Sequence, residues 1–163
     1  MWILGSLRAV CLNITKARKS WAMVSRILRR DGATPRVSGM FYKAIVQSKL
    51  LYGSESWVLT PTMFKALEGF HNRVARQISG EMPRLEKGSW VYPPIHTALG
   101  KAGLHRISVY ISRRRSTVMN YVQERPIWEA CVRTARLTGS PTRTSFWWEP
   151  SVVDSLTIVD DSA

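Results

Sequence analysis

The chain has 163 residues, 45% of them apolar, which is enough for one domain with its own core and too few for two ordinary ones. This composition excludes wholesale disorder. Lys and Arg number 24 against 11 Asp and Glu, so the net charge is +13; a field of one sign this strong favours polyanions, nucleic acid or an anionic membrane surface, over acidic small molecules.

The segment from Met1 to Ile14 is the longest apolar stretch, but Arg8 interrupts it well short of the roughly 20 residues of a membrane span. No positive residue precedes it and no small-x-small cleavage site follows, so it is not read as a signal peptide. These features imply an intracellular protein, nuclear or cytoplasmic, with no membrane partner. Val10, Ile14, Ala17, Trp21, Val24 and Leu28 recur at spacings of three and four and form the stripe of a first helix. Lys16, Arg18, Lys19, Arg26, Arg29 and Arg30 fall on its remaining arc. Asp31-Gly32 ends it and Thr34-Pro35 prevents immediate resumption.

Ser38 is expected to cap a second helix with Phe41, Ala44, Ile45 and Ser48 inward, running on to Leu51-Tyr52, where Gly53 is either its cap or a close-packing point. In the third, Thr60 caps, Pro61 takes the first position, and Phe64, Leu67, Phe70, His71, Val74 and Ile78 face inward until Gly80. His71, on an apolar stripe, reads as a satisfied core or boundary histidine. Met82-Pro83 and Tyr92-Pro93-Pro94 mark an irregular connector around Trp90. A short helix over Ile95–Leu99 and a longer one from about Leu104 to Val122 follow, the latter with Leu104, Ile107, Ile111, Val118 and Val122 as its stripe. No segment reads as a sheet. The class is all-α: a basic multi-helix bundle with irregular Pro/Trp connectors and a frayed acidic C-terminal tail.

Charge divides the chain. Residues 1–60 carry +8, residues 61–125 carry +7 and residues 126–163 carry −2. The organisation read from this is an N-terminal helix extension over 1–12, a basic helical domain over 13–125, an aromatic segment over 126–148 and a disordered tail over 149–163.

Catalytic constellations are missing. Two-metal phosphoryl chemistry needs gathered carboxylates, and the only paired acid, Asp160-Asp161, has just Ser162 and Ala163 after it, too little for a return strand. His71, His96 and His105 lack metal-ligand spacing, and Cys11 and Cys131 stand alone, so no metal site and no cofactor is expected. Ser54 and Ser56 have no nucleophile turn around them, and Gly100-Lys101-Ala102-Gly103 is not a phosphate loop. The chain by itself is not read as an enzyme. In the run Arg113-Arg114-Arg115, the wheel places Arg113 opposite the stripe and the other two beside it. Those two must snorkel, pair with a carboxylate such as Glu124 or Glu129, or grip a phosphate. Phe146-Trp147-Trp148 either packs on the helices or stacks on bases.

Asn13-Ile-Thr-Lys-Ala-Arg-Lys-Ser-Trp21, then Phe41 through Tyr52-Gly53-x-Glu55-x-Trp57, then Leu67-Glu-Gly-Phe-His71 resemble the region that follows the polymerase core in non-LTR (LINE-like) retrotransposon reverse transcriptases. Ala102-Gly-Leu104, Tyr110-Ile-Ser-Arg-Arg114, Arg125-Pro-Ile127 and Trp147-Trp148 look like later parts of the same region. The resemblance implies a helical thumb or connector that holds template-primer duplex behind the active site. The catalytic aspartates of that family lie in the upstream palm, and none is matched here; residues 1–12 also depart from the family pattern. Phosphates bind a basic helical face without sequence information, which suits an enzyme that slides along any sequence. Arg18, Lys19, Arg26, Arg29 and Arg30, with Arg113, Arg114 and Arg115, are therefore the candidate nucleic-acid contacts. Trp21 is assigned to the core, and Tyr52, Gly53, Glu55 and Trp57 to the joint between helices. Partners implied are RNA/DNA hybrid, RNA or duplex DNA, and the palm and fingers of a parent polymerase. The alternatives are a freestanding basic helical adaptor for RNA or ribonucleoprotein, and a non-functional retroelement relic.

Overall fold

The computed structural model describes residues Trp2–Gln123, and the elements are predominantly helical. Expectations for the aromatic segment, Cys131, Glu124, Glu129, Asp160-Asp161 and the tail lie outside the described residues. The described residues form two compact units, 2–52 with Leu59–Ile107, and Gly53–Val58 with 108–123.

In the first unit, α1 (Trp2–Arg30) is a single helix whose buried face is Val10, Ile14, Ala17, Trp21 and Leu28, the stripe read from spacing apart from half-buried Val24. Its end is a Schellman motif: Ala33 N–H donates to the Leu28 carbonyl at 2.9 Å and Gly32 N–H to that of Arg29 at 3.3 Å, with Gly32 at φ 63°. The second helix differs from its expectation. Thr34, not Ser38, is the cap, its Oγ1 accepting from Val37 N–H at 3.4 Å, and Pro35 takes the first position, where a missing N–H costs nothing. Ser38 is a buried interior residue of α2 (Pro35–Phe41).

A π-helical turn over Tyr42–Gln47 follows, before α3 (Ser48–Leu50). The inward face set by buried Ser38 and Gly39 of α2 continues through the wider turn, so Tyr42, Val46, Gln47, Leu50 and Leu51 are buried, whereas the expected inward residues Phe41 and Ala44 are exposed and Ile45 and Ser48 half-buried. The register is held from three directions. Tyr42 O–H donates to His71 Nδ1 at 2.9 Å, Trp21 meets the Tyr42 ring edge-on at 6.0 Å, and Gly39 lies against α5 (Ile95–Ala102) so closely that a Cβ there would sit 1.9 Å from the Ala102 carbonyl oxygen. Asn13 Nδ2 donates to the Tyr52 carbonyl at 2.9 Å, so α1 also caps the end of this segment.

Thr60 caps α4 (Pro61–Ser79) as expected, and Gly80 ends it at φ 74°. Its inward row is Met63, Leu67, Phe70, His71, Val74 and Ala75, while Phe64 and Ile78 are half-buried. The connector read as irregular contains a hairpin, β1 (Arg84–Glu86) and β2 (Ser89–Val91), with Leu85 opposite Trp90. Lys87 at φ 48° and Gly88 at φ 82° make its two-residue turn. The all-α expectation missed it because three-residue strands exposed on both faces have no alternation to read. Helix α5 runs three residues beyond its expected end, and Leu104 belongs to that end: its N–H closes a second Schellman motif on the Leu99 carbonyl at 2.9 Å. Helix α6 (Ile107–Gln123) consequently starts three residues later than expected.

The second unit comprises the short 3₁₀ turn Ser54–Ser56, entered through Gly53 at φ 76°, and α6 from Ser108. Trp57 and Ile111 are buried; Val118, placed on the stripe by its spacing, is exposed.

His71 is fully buried, and desolvation lowers its pKa from 6.5 to about 4. The neutral tautomer satisfies both partners, Nδ1 accepting from Tyr42 and Nε2–H donating to the His105 carbonyl at 2.9 Å. The unfolded chain therefore binds a proton near pH 6.5 that the folded chain refuses until about pH 4. Stability from this residue is complete above pH 6.5 and should fall by about 3 kcal/mol as pH drops to 4. Urea unfolding across that range, compared with His71→Gln, should show this slope only in the native sequence. Gly39→Ala should cost at least about 3 kcal/mol, read as a lowered Tm, because backbone faces the new methyl and no side chain can yield.

Candidate nucleic-acid interface

Over its 29 residues α1 contains no acidic side chain, so its cations have no carboxylate partner within the helix. Leu12, Lys16, Lys19, Met23, Arg26 and Arg30 succeed one another at alternating steps of four and three and are all exposed, forming one row opposite the buried stripe. From Lys16 to Arg30 the row spans about 21 Å at the helical rise. Duplex nucleic acid presents one phosphate charge per about 1.7 Å of axis, so several phosphates lie within reach of such a row.

The expected contacts separate by what already holds them. Arg18, Lys19 and Arg26 are exposed and make no hydrogen bond or ion pair among the described residues. Arg29 folds back on its own helix, donating to the Ser25 carbonyl at 3.1 Å and to Ser25 Oγ at 3.4 Å. Arg30 pairs with Asp31 at 3.3 Å across an exposed surface, where an ion pair contributes little and exchanges readily. Arg18 and Arg29 lie on the flank of the helix rather than in the row. Lys16, off the stripe and absent from the expected contacts, stands in the row beside Lys19 and Arg26, and its i+3 spacing to Lys19 is the signal that places it there.

The arginine run of the second unit also divides. Arg113 is exposed, as its place opposite the stripe implies. Arg114 pairs with Glu55 at 3.0 Å, a partner 59 residues away, while Glu124 and Glu129 lie outside the described residues. Arg115 is buried at 6% exposure and donates to the Trp57 carbonyl at 2.9 Å, and burial pulls its pKa below the ordinary value. A guanidinium keeps its charge even so, and the bond to the Trp57 carbonyl offsets part of the cost of burying it. Glu55 and Trp57 thus act as the receiving surface for two arginines of α6.

Trp21, Tyr52 and Gly53, which also carry the resemblance, act through packing and backbone. Trp21 is buried, and its indole N–H donates to Gln77 Oε1 at 2.7 Å. Tyr52 has a side chain 77% exposed and contributes through its carbonyl to Asn13. Gly53 adopts the left-handed conformation that turns the chain between α3 and the 3₁₀ turn. Among the described residues no three His, Cys, Asp or Glu side chains gather as metal ligands, and no helix is long and apolar enough to cross a membrane.

The chain matches no protein-family model, no curated protein and no solved structure.

The division within the arginine run has a direct consequence. Arg115→Ala should lower stability by about 2 to 3 kcal/mol in urea unfolding, since it empties a buried site and strands the Trp57 carbonyl, whereas Arg113→Ala should change it by no more than about 0.5 kcal/mol.

Proposed function

We propose that this chain is a nucleic-acid-binding C-terminal segment of a non-LTR retrotransposon reverse transcriptase, holding template-primer duplex by its backbone while catalysis resides in a palm carried elsewhere. The observation that supports this most directly is the acid-free helix α1, with a row of exposed cations facing away from its core stripe. The family resemblance adds the order of motifs from Asn13 onward.

In this reading Lys16, Lys19, Arg26 and Arg30 track phosphates along one strand. The pair Arg30–Asp31 opens to release its guanidinium, at little cost because both groups are solvated. Lys ammonium groups on flexible stems follow a moving backbone, and none of them reads base edges, so affinity is insensitive to sequence. The buried Tyr42–His71–Trp21 cluster contributes rigidity: it keeps α1 fixed as a rod, so that the cations act together rather than singly.

Exposed Leu12, Met23 and Ile27 favour a second reading, in which the same face seats against another polypeptide segment such as the parent polymerase. The two readings separate in a binding titration. Four neutralised phosphates give a slope of log affinity against log salt of about −3.6, and Lys16→Glu, Lys19→Glu and Arg26→Glu together should flatten it by roughly three units with helicity unchanged. An unaltered slope in the triple variant would exclude α1 as the phosphate-binding element.

A further inference from the structure

Hairpin β1–β2 carries large apolar side chains that its two strands cannot bury. Leu85 and Trp90 stand opposite each other on one face, each 61% exposed, and Tyr92 follows at 65%. Their exposure does not come from looseness of the segment. The Arg76 guanidinium donates to the carbonyl of Glu81 at 3.3 Å and to that of Pro93 at 2.7 Å, clamping the chain before and after the hairpin. Lys101 also hydrogen-bonds Glu81, and that bond holds the Glu81 carboxyl below its usual pKa range. The turn at Lys87-Gly88 completes a rigid mount for the rings.

The location of this mount matters. Met82, two residues before β1, lines a cleft of about 490 Å³ together with Leu28 and Arg29 from the end of α1 and Ile78 of α4. The segment that leads into the hairpin therefore passes beside the C-terminal end of α1, where Arg30 ends the basic row.

We propose that Trp90 and Tyr92 form a stacking platform for unpaired nucleobases, so that the ligand this chain prefers is a duplex with a single-stranded extension rather than a blunt duplex. The inference rests on the nucleic-acid reading above and adds the form of the ligand. A polyanion is the occupant that the charge of α1 selects, and Arg84 and Lys87 bring two further cations to the hairpin itself. Among forms of nucleic acid, one with free base faces uses flat aromatic rings; paired bases present edges and phosphates and would leave both rings in water. Stacking on Trp or Tyr is also indifferent to sequence, as the phosphate contacts are.

The test uses the full chain and two fluorescent probes, a blunt RNA/DNA hybrid and the same hybrid with a short single-stranded extension. The native protein should bind the extended probe about tenfold more tightly. Trp90→Ala with Tyr92→Ala should abolish that preference while leaving blunt-hybrid affinity within about twofold, and the melting temperature should not move, because both rings are exposed. Trp90→Phe with Tyr92→Phe should restore the preference. Lys16→Glu, Lys19→Glu and Arg26→Glu should weaken both probes alike. Equal native affinity for the two probes overturns the platform while leaving the phosphate row standing, whereas failure to bind either probe overturns the nucleic-acid reading. Loss of a dimer in sedimentation when the rings are removed, with probe preference intact, also overturns the platform and makes the hairpin a contact between copies of the chain.

Discussion

The hydroxyl of Tyr42 donates to the imidazole of His71 at a site closed to solvent, and neither group is tolerable there without the other. Bringing that hydroxyl inward requires Tyr42 rather than Phe41 to face the core, as the buried Ser38 and Gly39 one turn earlier set it, and the π-helical turn that starts at Tyr42 carries the same face on to Val46 and Gln47. Trp21 then packs edge-on against Tyr42, and the other imidazole nitrogen reaches the His105 carbonyl in the connection before α6. Four stretches of chain thus converge on one polar pair. The contact between Gly39 and Ala102 depends on the same register, since rotating the segment by one residue would bring a side chain to that backbone.

A chain with this much positive charge must decide which cations serve the fold. Those near an acceptor within the structure are committed: Arg115 to the Trp57 carbonyl, Arg114 to Glu55, Arg76 to the two carbonyls that frame the hairpin, Lys49 to Ser20 at 2.8 Å. Lys16, Arg18, Lys19 and Arg26 along α1 have no acid to pair with in the helix and stand in water. The scarcity of carboxylates is what keeps this second group available. An acid placed four residues from Lys19 or Arg26 would stabilise the helix by a few tenths of a kcal/mol and would neutralise the row.

The hairpin shows a different economy. Its strands are too short to bury anything, so its order is supplied from outside by the Arg76 clamp and the Glu81–Lys101 contact. Apolar side chains held in place without being covered are a surface feature, not a core feature, and this separates Trp90 from Trp21 and Trp57 despite their shared residue type.

Local chemistry by itself determined the helices with strong periodicity and clear punctuation. The stripe of α1, its Gly32 stop, the Thr60-Pro61 start and Gly80 end of α4, and the inward place of His71 were all legible, because caps, left-handed glycines and a 3.6-residue period act within a few residues. The off-stripe position of the α1 cations was legible for the same reason. Tertiary structure decided the rest. The inward face of the second helix moved because a distant histidine required a hydroxyl, and the end of α5 absorbed Leu104 because a glycine placed it over Leu99. Arg114 and Arg115 reach Glu55 and Trp57, 59 and 58 residues away, at a separation no local pattern encodes. The hairpin exists through a clamp from α4, and periodicity has nothing to say about a strand that buries neither face.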